Sequence, residues 1–285
     1  MHKDLQINQK LQQLVSLSQK SHSAFLEAQN DSELRPYLIK DSLPILYFGD
    51  IEAYFKSKYK IITAAINPSS AEFFYDDSAK TISFARFPQF ERIDKERDLS
   101  DESTLQYISA LNGYFQTGAD YSRWFNRTPR NNLFAPFGAS YYNDTPNRAI
   151  HTDTLSPFAT FPAWSKLDSQ IQRRFSEFGI ALWHELIAIL EPDIIFMSLN
   201  QKYISHTDFY RTFRDYVVYA DKKYNGRVLK IQYGYILLNT KTAHIFNESR
   251  TNQVPFNALG SKDSAILGAK IFERFTKGLL QHSDS

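Results

Sequence analysis

Tyr59-Lys60-Ile61-Ile62-Thr63-Ala64-Ala65-Ile66 is a continuous β-favouring run, followed at once by Asn67-Pro68-Ser69-Ser70-Ala71-Glu72-Phe73. A run that is apolar on both faces suits a central strand of a parallel sheet, covered by helices above and below. Pro68 lacks the N–H a ladder needs, so the strand stops at Asn67. Asp193-Ile194-Ile195-Phe196-Met197-Ser198-Leu199-Asn200 repeats the pattern and predicts a second central strand. Ala149-Ile150-His151-Thr152-Asp153-Thr154-Leu155 predicts a third, running into Ser156-Pro157.

Between and around these runs the period changes from two to about 3.6. Leu167, Ile171, Phe175, Leu182, Leu186 and Ile189 share one side of a helix over 165–190, ended by Glu191-Pro192. Leu5, Leu11, Leu14, Val15, Leu17 and Phe25 give a narrow helical face over 5–29, a surface helix or N-terminal extension. A short helix over 50–57, a helical patch near 103–116 and a C-terminal helix over 263–280 complete the helical reading. Arg227 to Tyr233 predicts a strand, and Tyr235 to Leu238 with Thr242 to Phe246 predicts a hairpin around Asn239-Thr240. Strands alternating with helices give an α/β class with a mostly parallel sheet. The division expected is a helical extension over 1–44 and one α/β domain over 45–280. Ligands of such sheets sit off the carboxyl ends of the strands. Asn67, Asp153, Asn200 and His244–Asn247 are therefore expected to share a site.

The chain has 285 residues, with 33 Lys+Arg against 31 Asp+Glu, and so is no polybasic coating protein. A nucleic-acid partner would need a local basic groove. With 23 Phe, 17 Tyr and only 10 Gly, the composition is that of a packed core and excludes a disordered or linker-like chain. There is no Cys, which excludes disulfides, thiolate metal sites and thiol nucleophiles. No apolar run reaches the ~20 residues of a membrane helix. Met1-His2-Lys3-Asp4 does not lead into a signal-peptide core, so the expected setting is cytoplasmic. His184-Glu185-Leu186-Ile187-Ala188 lacks the second His of a zinc-protease helix, and neither a metal nor another cofactor is expected.

The turn Ala65-Ile66-Asn67-Pro68-Ser69 resembles the first motif of the uracil-DNA glycosylase superfamily. Further residues resemble a divergent Asn-Pro-Ser branch of it: Ser70-Ala71-Glu72-Phe73, Arg86-Phe87, Ala149-Ile150-His151-Thr152-Asp153, Ser156-Pro157-Phe158-Ala159-Thr160-Phe161-Pro162-Ala163-Trp164 and Pro192-Asp193-Ile194-Ile195. The resemblance runs from about residue 45 to 275. Two positions depart from it: Ala65 stands where the motif has Gly, and His244-Ile245-Phe246-Asn247-Glu248-Ser249 replaces a His-Pro-Ser motif.

The resemblance implies a three-layer α/β/α fold and a monofunctional DNA N-glycosylase, a hydrolase of N-glycosyl bonds. Such an enzyme flips a nucleotide from DNA and cuts between base and deoxyribose. Asn67 would place the attacking water, and His244 and Asn247 would donate to the departing base or a phosphate. Asp153 would read the base. An ionised carboxylate accepts from the N4 amine of cytosine and repels the O4 of uracil, which favours a modified cytosine as in phage DNA, or a damaged pyrimidine. His151 would brace Asp153 or touch phosphate. Phe73 and Phe84 compete to stack on the extruded base. Ser69, Arg86, Ser249, Arg250 and Asn252 would contact DNA, with Arg123, Arg127, Arg130 and Arg148 as further phosphate partners.

Each assignment has a plainer counterpart. Asn67-Pro68 also reads as a strand-ending turn, Asp153 as a cap, Phe73 and Phe84 as core, and 247–262 as an exposed connector. The chain also admits a non-catalytic sensor of modified nucleic acid or a nucleoside hydrolase on the same fold.

Overall fold

Residues 2–76, 81–118, 133–204, 207, 213, 215–219, 229–248 and 261–282 are described by a computed structural model. In chain order the elements are α1 (His2–Asn30), β1 (Tyr47–Phe48), α2 (Ile51–Lys56), β2 (Ile61–Ala65), β3 (Phe74–Asp76), β4 (Thr81–Ile82) and α3 (Asp101–Gly113). There follow β5 (Ala139–Ser140), β6 (Asn147–Asp153), α4 (Ser169–Leu190), β7 (Ile194–Met197), α5 (Gln201–Ile204), β8 (Asp215–Tyr219), β9 (Leu229–Leu237), β10 (Thr242–Asn247) and α6 (Ser261–His282). The fold is mixed α/β, its central strands running mostly parallel. The chain divides into two compact units. The first gathers 1–55, 65–121 and 150–190, and the second 56–64, 122–149 and 191–285.

In the second unit β2, β7 and β10 lie parallel, with Ile61 and His244 both opposite Ile194. All residues of β2 and of β7 are buried, as the unbroken apolar runs require. β9 and β8 extend this sheet antiparallel. The expected hairpin is present as β9–β10, but 229–237 form one strand where the sequence suggests two segments. Gly234 continues the ladder opposite Ile245 instead of breaking it.

In the first unit β1 runs antiparallel to β6, with Phe48 opposite His151. Helix α1 packs on α3 and α4 and buries Leu14, Leu17, Phe25 and Ala28. Helix α4 lies against the segment leaving β6. Its Trp183 Nε1 donates to Thr152 Oγ1 at 3.0 Å. Gly179 permits that approach, because a Cβ there would stand 2.0 Å from the carbonyl oxygen of Leu155 and 2.5 Å from Ser156 Cα. Both obstacles are backbone and cannot swing aside. Gly179→Ala is therefore expected to destabilise the protein by ~1–3 kcal/mol or more. At Gly113 a Cβ meets nothing within 4 Å, and Gly113→Ala should be neutral or stabilising by up to ~1 kcal/mol. Urea denaturation of the two variants beside wild type checks the contrast.

Candidate active site

The site in the first unit begins where the chain leaves β2 and β6. Thr154 N donates to Ala65 O at 2.8 Å, and Leu155 N and Ser156 N donate to Ile66 O at 2.9 and 3.3 Å. The two strand ends are thus laced together, and Asn67 and Asp153 belong to one neighbourhood. Thr160 bridges both Leu38 and Ser69. Ser69 caps a short 3-10 turn, its Oγ accepting from Ala71 N at 3.2 Å.

Asn67 is half-buried. Its Nδ2 donates to Phe158 O and to Thr160 Oγ1, each at 3.2 Å. A carbonyl only accepts, so the contact with Phe158 fixes which end of the amide is nitrogen. Asn67 Oδ1 consequently faces away and accepts no hydrogen bond among the described residues. Phe158 is itself enclosed by Phe25 of α1 and by Phe175 and Phe178 of α4. The first and third long helices therefore hold the carbonyl that orients Asn67. A cleft of about 290 Å³, lined by Leu38, Ile39, Lys40, Asp41, Ile82 and Phe161, flanks the Thr160 bridge.

Asp153 is 5% exposed, and neither carboxyl oxygen has a hydrogen-bond partner. The neighbouring Thr154 Oγ1 is likewise buried and unpartnered. His151 Nε2 stands 3.7 Å from Asp153 Oδ1, an ion-pair distance too long for a hydrogen bond. Burial pushes the Asp153 carboxyl above its usual range, and His151 opposes that rise.

A second buried acid, Glu72, was not singled out by the sequence reading. Tyr114 OH donates to its Oε2 at 2.9 Å, and Arg86 Nη1 lies 3.1 Å from the same oxygen. Burial pushes Glu72 from the usual 4.5 up to about 7; the Arg86 guanidinium and the Tyr114 hydroxyl pull it down, and Asp153 pushes it further up. The sequence signal for Glu72 is its place in Ser70-Ala71-Glu72-Phe73, a stretch that carries part of the resemblance without a role for the acid.

Aromatic rings wall this cluster. Phe48 lies 4.7 Å from Tyr114 and 5.4 Å from His151, ring centre to ring centre. Phe73 has no exposed surface and stacks near Phe87 and Phe90. A base could stack on Phe73 only by displacing one of those rings, so it serves as core. Phe84 is half-buried, with Lys95 Nζ 4.8 Å from its ring centre, and remains the ring of the two with open surface. Arg86, expected on phosphate, is instead mostly buried against Glu72. Arg148 is also buried. Ser249, Arg250 and Asn252, with Arg123, Arg127 and Arg130, lie outside the described residues.

The late residues fall in the second unit and are committed to it. Asn247 Oδ1 accepts from Leu199 N at 3.0 Å, while its Nδ2 donates to Leu199 O at 3.0 Å and Gln232 Oε1 at 2.7 Å. No donor is left for a base. His244 pairs with the first residue of β7, at the amino end of these parallel strands, whereas ligands sit off the carboxyl end. Its ring stacks on Tyr233, whose hydroxyl is 2.8 Å from Nδ1. Asn200 Oδ1 accepts from Tyr203 N at the start of α5. Within the first unit the structure gathers Asn67, Asp153, His151 and Ser69 and adds Glu72 and Tyr114; within the second, His244 and Asn247 spend their side chains on Tyr233, Leu199 and Gln232.

No group of three or more His, Asp or Glu able to hold a metal occurs among the described residues, and none of the described helices is long and apolar enough to cross a membrane. Comparison with protein-family models, with curated proteins and with solved structures found no match to this chain.

The raised Glu72 carboxyl carries a stability consequence. Between about 4.5 and about 7 the unfolded chain is ionised at this position while the folded one keeps its proton. Its contribution is therefore fully present below about 4.5 and is lost as pH rises through about 7. The full span is on the order of 3 kcal/mol. Urea unfolding of wild type and Glu72→Gln from pH 5 to 8 should show wild type losing stability relative to the variant as pH rises. Parallel curves would show that Glu72 is ionised throughout.

Proposed function

We propose that this chain is a monofunctional DNA glycosylase of uracil-DNA glycosylase-like three-layer α/β/α fold, excising a modified or damaged pyrimidine, with modified cytosine preferred. The observation that carries the reading is the Asn67 amide. Its nitrogen is tied down on both sides and its oxygen is left open, beside a buried carboxyl that has no partner. That is an arrangement for holding a water at one point and a polar base edge at another.

Base excision passes through an oxocarbenium-like sugar and a base that gathers negative charge. Asn67 Oδ1 accepts a hydrogen bond from water and aims its oxygen at C1′. An amide is a weak base, so it orients the water more than it activates it. Asp153 and Thr154 offer their unpartnered atoms to the base edge. Because Asp153 is enclosed, the extruded base reaches it only when the aromatic wall opens, and the half-buried Phe84 supplies a face to stack on.

Duplexes carrying uracil, 5-hydroxymethylcytosine, glucosylated 5-hydroxymethylcytosine or a thymine mispair, scored by alkali cleavage and released base, test the reading. Asn67→Ala is expected to slow single-turnover excision by ~10²-fold while leaving the thermal melt and DNA binding nearly unchanged. An unchanged rate would remove Asn67 from the mechanism. Excision should also survive EDTA, and loss restored by one divalent ion would point to a metal hydrolase. Cleavage of free nucleosides without regard to DNA would identify a nucleoside hydrolase instead.

A further inference from the structure

Helix α1, a surface extension by its sequence, forms part of the wall behind Asn67. Asn67 Nδ2 donates to Phe158 O and to Thr160 Oγ1, each at 3.2 Å. The Phe158 ring meets Phe25 of α1 edge to face, 5.3 Å between centres. Three residues earlier on α1 stands His22, its ring centre 6.5 Å from that of Phe25. His22 has no exposed surface, and neither of its ring nitrogens has a hydrogen-bond partner among the described residues. The hydroxyl of Ser21 beside it is equally buried and unpartnered. A neutral imidazole tolerates such a place at the cost of its unmade hydrogen bonds. An imidazolium does not, because it needs acceptors for two N–H groups and water for its charge.

The acids near His22 lie at the rim. Asp98 and Asp94, in the segment that leads into α3, favour the charged ring, but burial outweighs them and holds His22 below its ordinary 6.5. Asp98 already accepts from Ser23 Oγ at 2.8 Å. Asp101 of α3 accepts from Gln19 Nε2 at 3.1 Å, Tyr107 of α3 donates to Pro44 O at 3.0 Å, and Glu185 of α4 pairs with Lys20. The ties from Ser23, Gln19 and Lys20 are exposed, and exposed ties contribute little. The docking of this stretch of α1 therefore rests on its buried face, where His22 sits.

We propose that α1 is a clamp on Asn67 that opens when His22 takes a proton. Residues 17–28 then lift, the charged ring reaches water and the carboxylates of Asp94 and Asp98, Phe25 leaves Phe158, and the Asn67 amide loses its fixed orientation. His22 and Phe25 are positioning residues: they act on Asn67 only through Phe158. The device is independent of which reaction Asn67 serves. Its sign follows from proton uptake. A lifted His22 takes a proton at its ordinary 6.5 and a docked one only at lower pH, so docking is fully favourable above 6.5 and weakens as pH falls below it.

The test is amide hydrogen exchange of the full chain from pH 8 to 5, corrected for intrinsic chemistry, with the Asn67 side-chain NH2 followed by NMR. Protection of residues 17–28 should be level above 6.5 and fall by up to tenfold per pH unit below it, with the Asn67 NH2 losing protection in step. His22→Leu, which keeps an apolar face and cannot titrate, should give a level profile for both. Wild type that stays level, or His22→Leu that falls with wild type, overturns the proposal. So does a helix that loosens while the Asn67 NH2 is unmoved. If His22→Leu does not fold, the wild-type ring decides: a His22 imidazole that titrates at 6.5 with α1 still protected overturns the proposal. A chain that releases no base from any duplex would defeat the glycosylase reading and leave each of these outcomes as it stands.

Discussion

The hydrogen bond from Thr154 N to Ala65 O, with its two neighbours on Ile66 O, is the constraint on which the site depends. It ties the exit of β6 to the exit of β2, and so joins two residues 86 positions apart, Asn67 and Asp153, in one neighbourhood. The helices serve the same junction. Gly179 lets α4 approach the Leu155–Ser156 backbone, Trp183 holds Thr152, and Phe25 of α1 and Phe175 of α4 enclose Phe158, the carbonyl that orients Asn67.

The electrostatics of the cluster follow from burial. An unpartnered ion costs several kcal/mol in such a setting, so a carboxyl there either finds donors or keeps its proton. Glu72 finds donors in Tyr114 and Arg86, yet burial still pushes its carboxyl up to about 7, and Asp153, with no donor, is pushed up as well. This arrangement is poor for stability, since burial opposes the ionised form of both carboxyls.

The late loop shows how local chemistry misleads. His and Asn near a strand end read as ligand-facing donors, yet Asn247 spends its whole amide clamping Leu199 and Gln232, and His244 lies opposite the first residue of β7 with its ring against Tyr233. Residue type alone does not reveal whether a buried amide faces a ligand or the backbone beside it. Arg86 carries the same lesson. A lone cation in an aromatic segment suggests phosphate, but a buried acid fourteen residues earlier has claimed it.

What the sequence determined by itself was whatever repeats along the chain: the buried runs of β2 and β7, the strand β6, the helical periods of α1, α3, α4 and α6, and the Asn-Pro stop after β2. These depend on short-range sterics and on which faces are apolar, so they are written locally. The strands β1, β3, β4, β5 and β8 were not legible, because they are short and lack the unbroken apolar runs that mark β2 and β7. Nor was the membership of the site. Whether Asp153 lacks partners, whether Asn67 shows its oxygen or its nitrogen, and whether Glu72 meets Arg86 are set by contacts between distant segments. Hydrogen bonds act over about 3 Å, and only the tertiary structure decides which groups come that close.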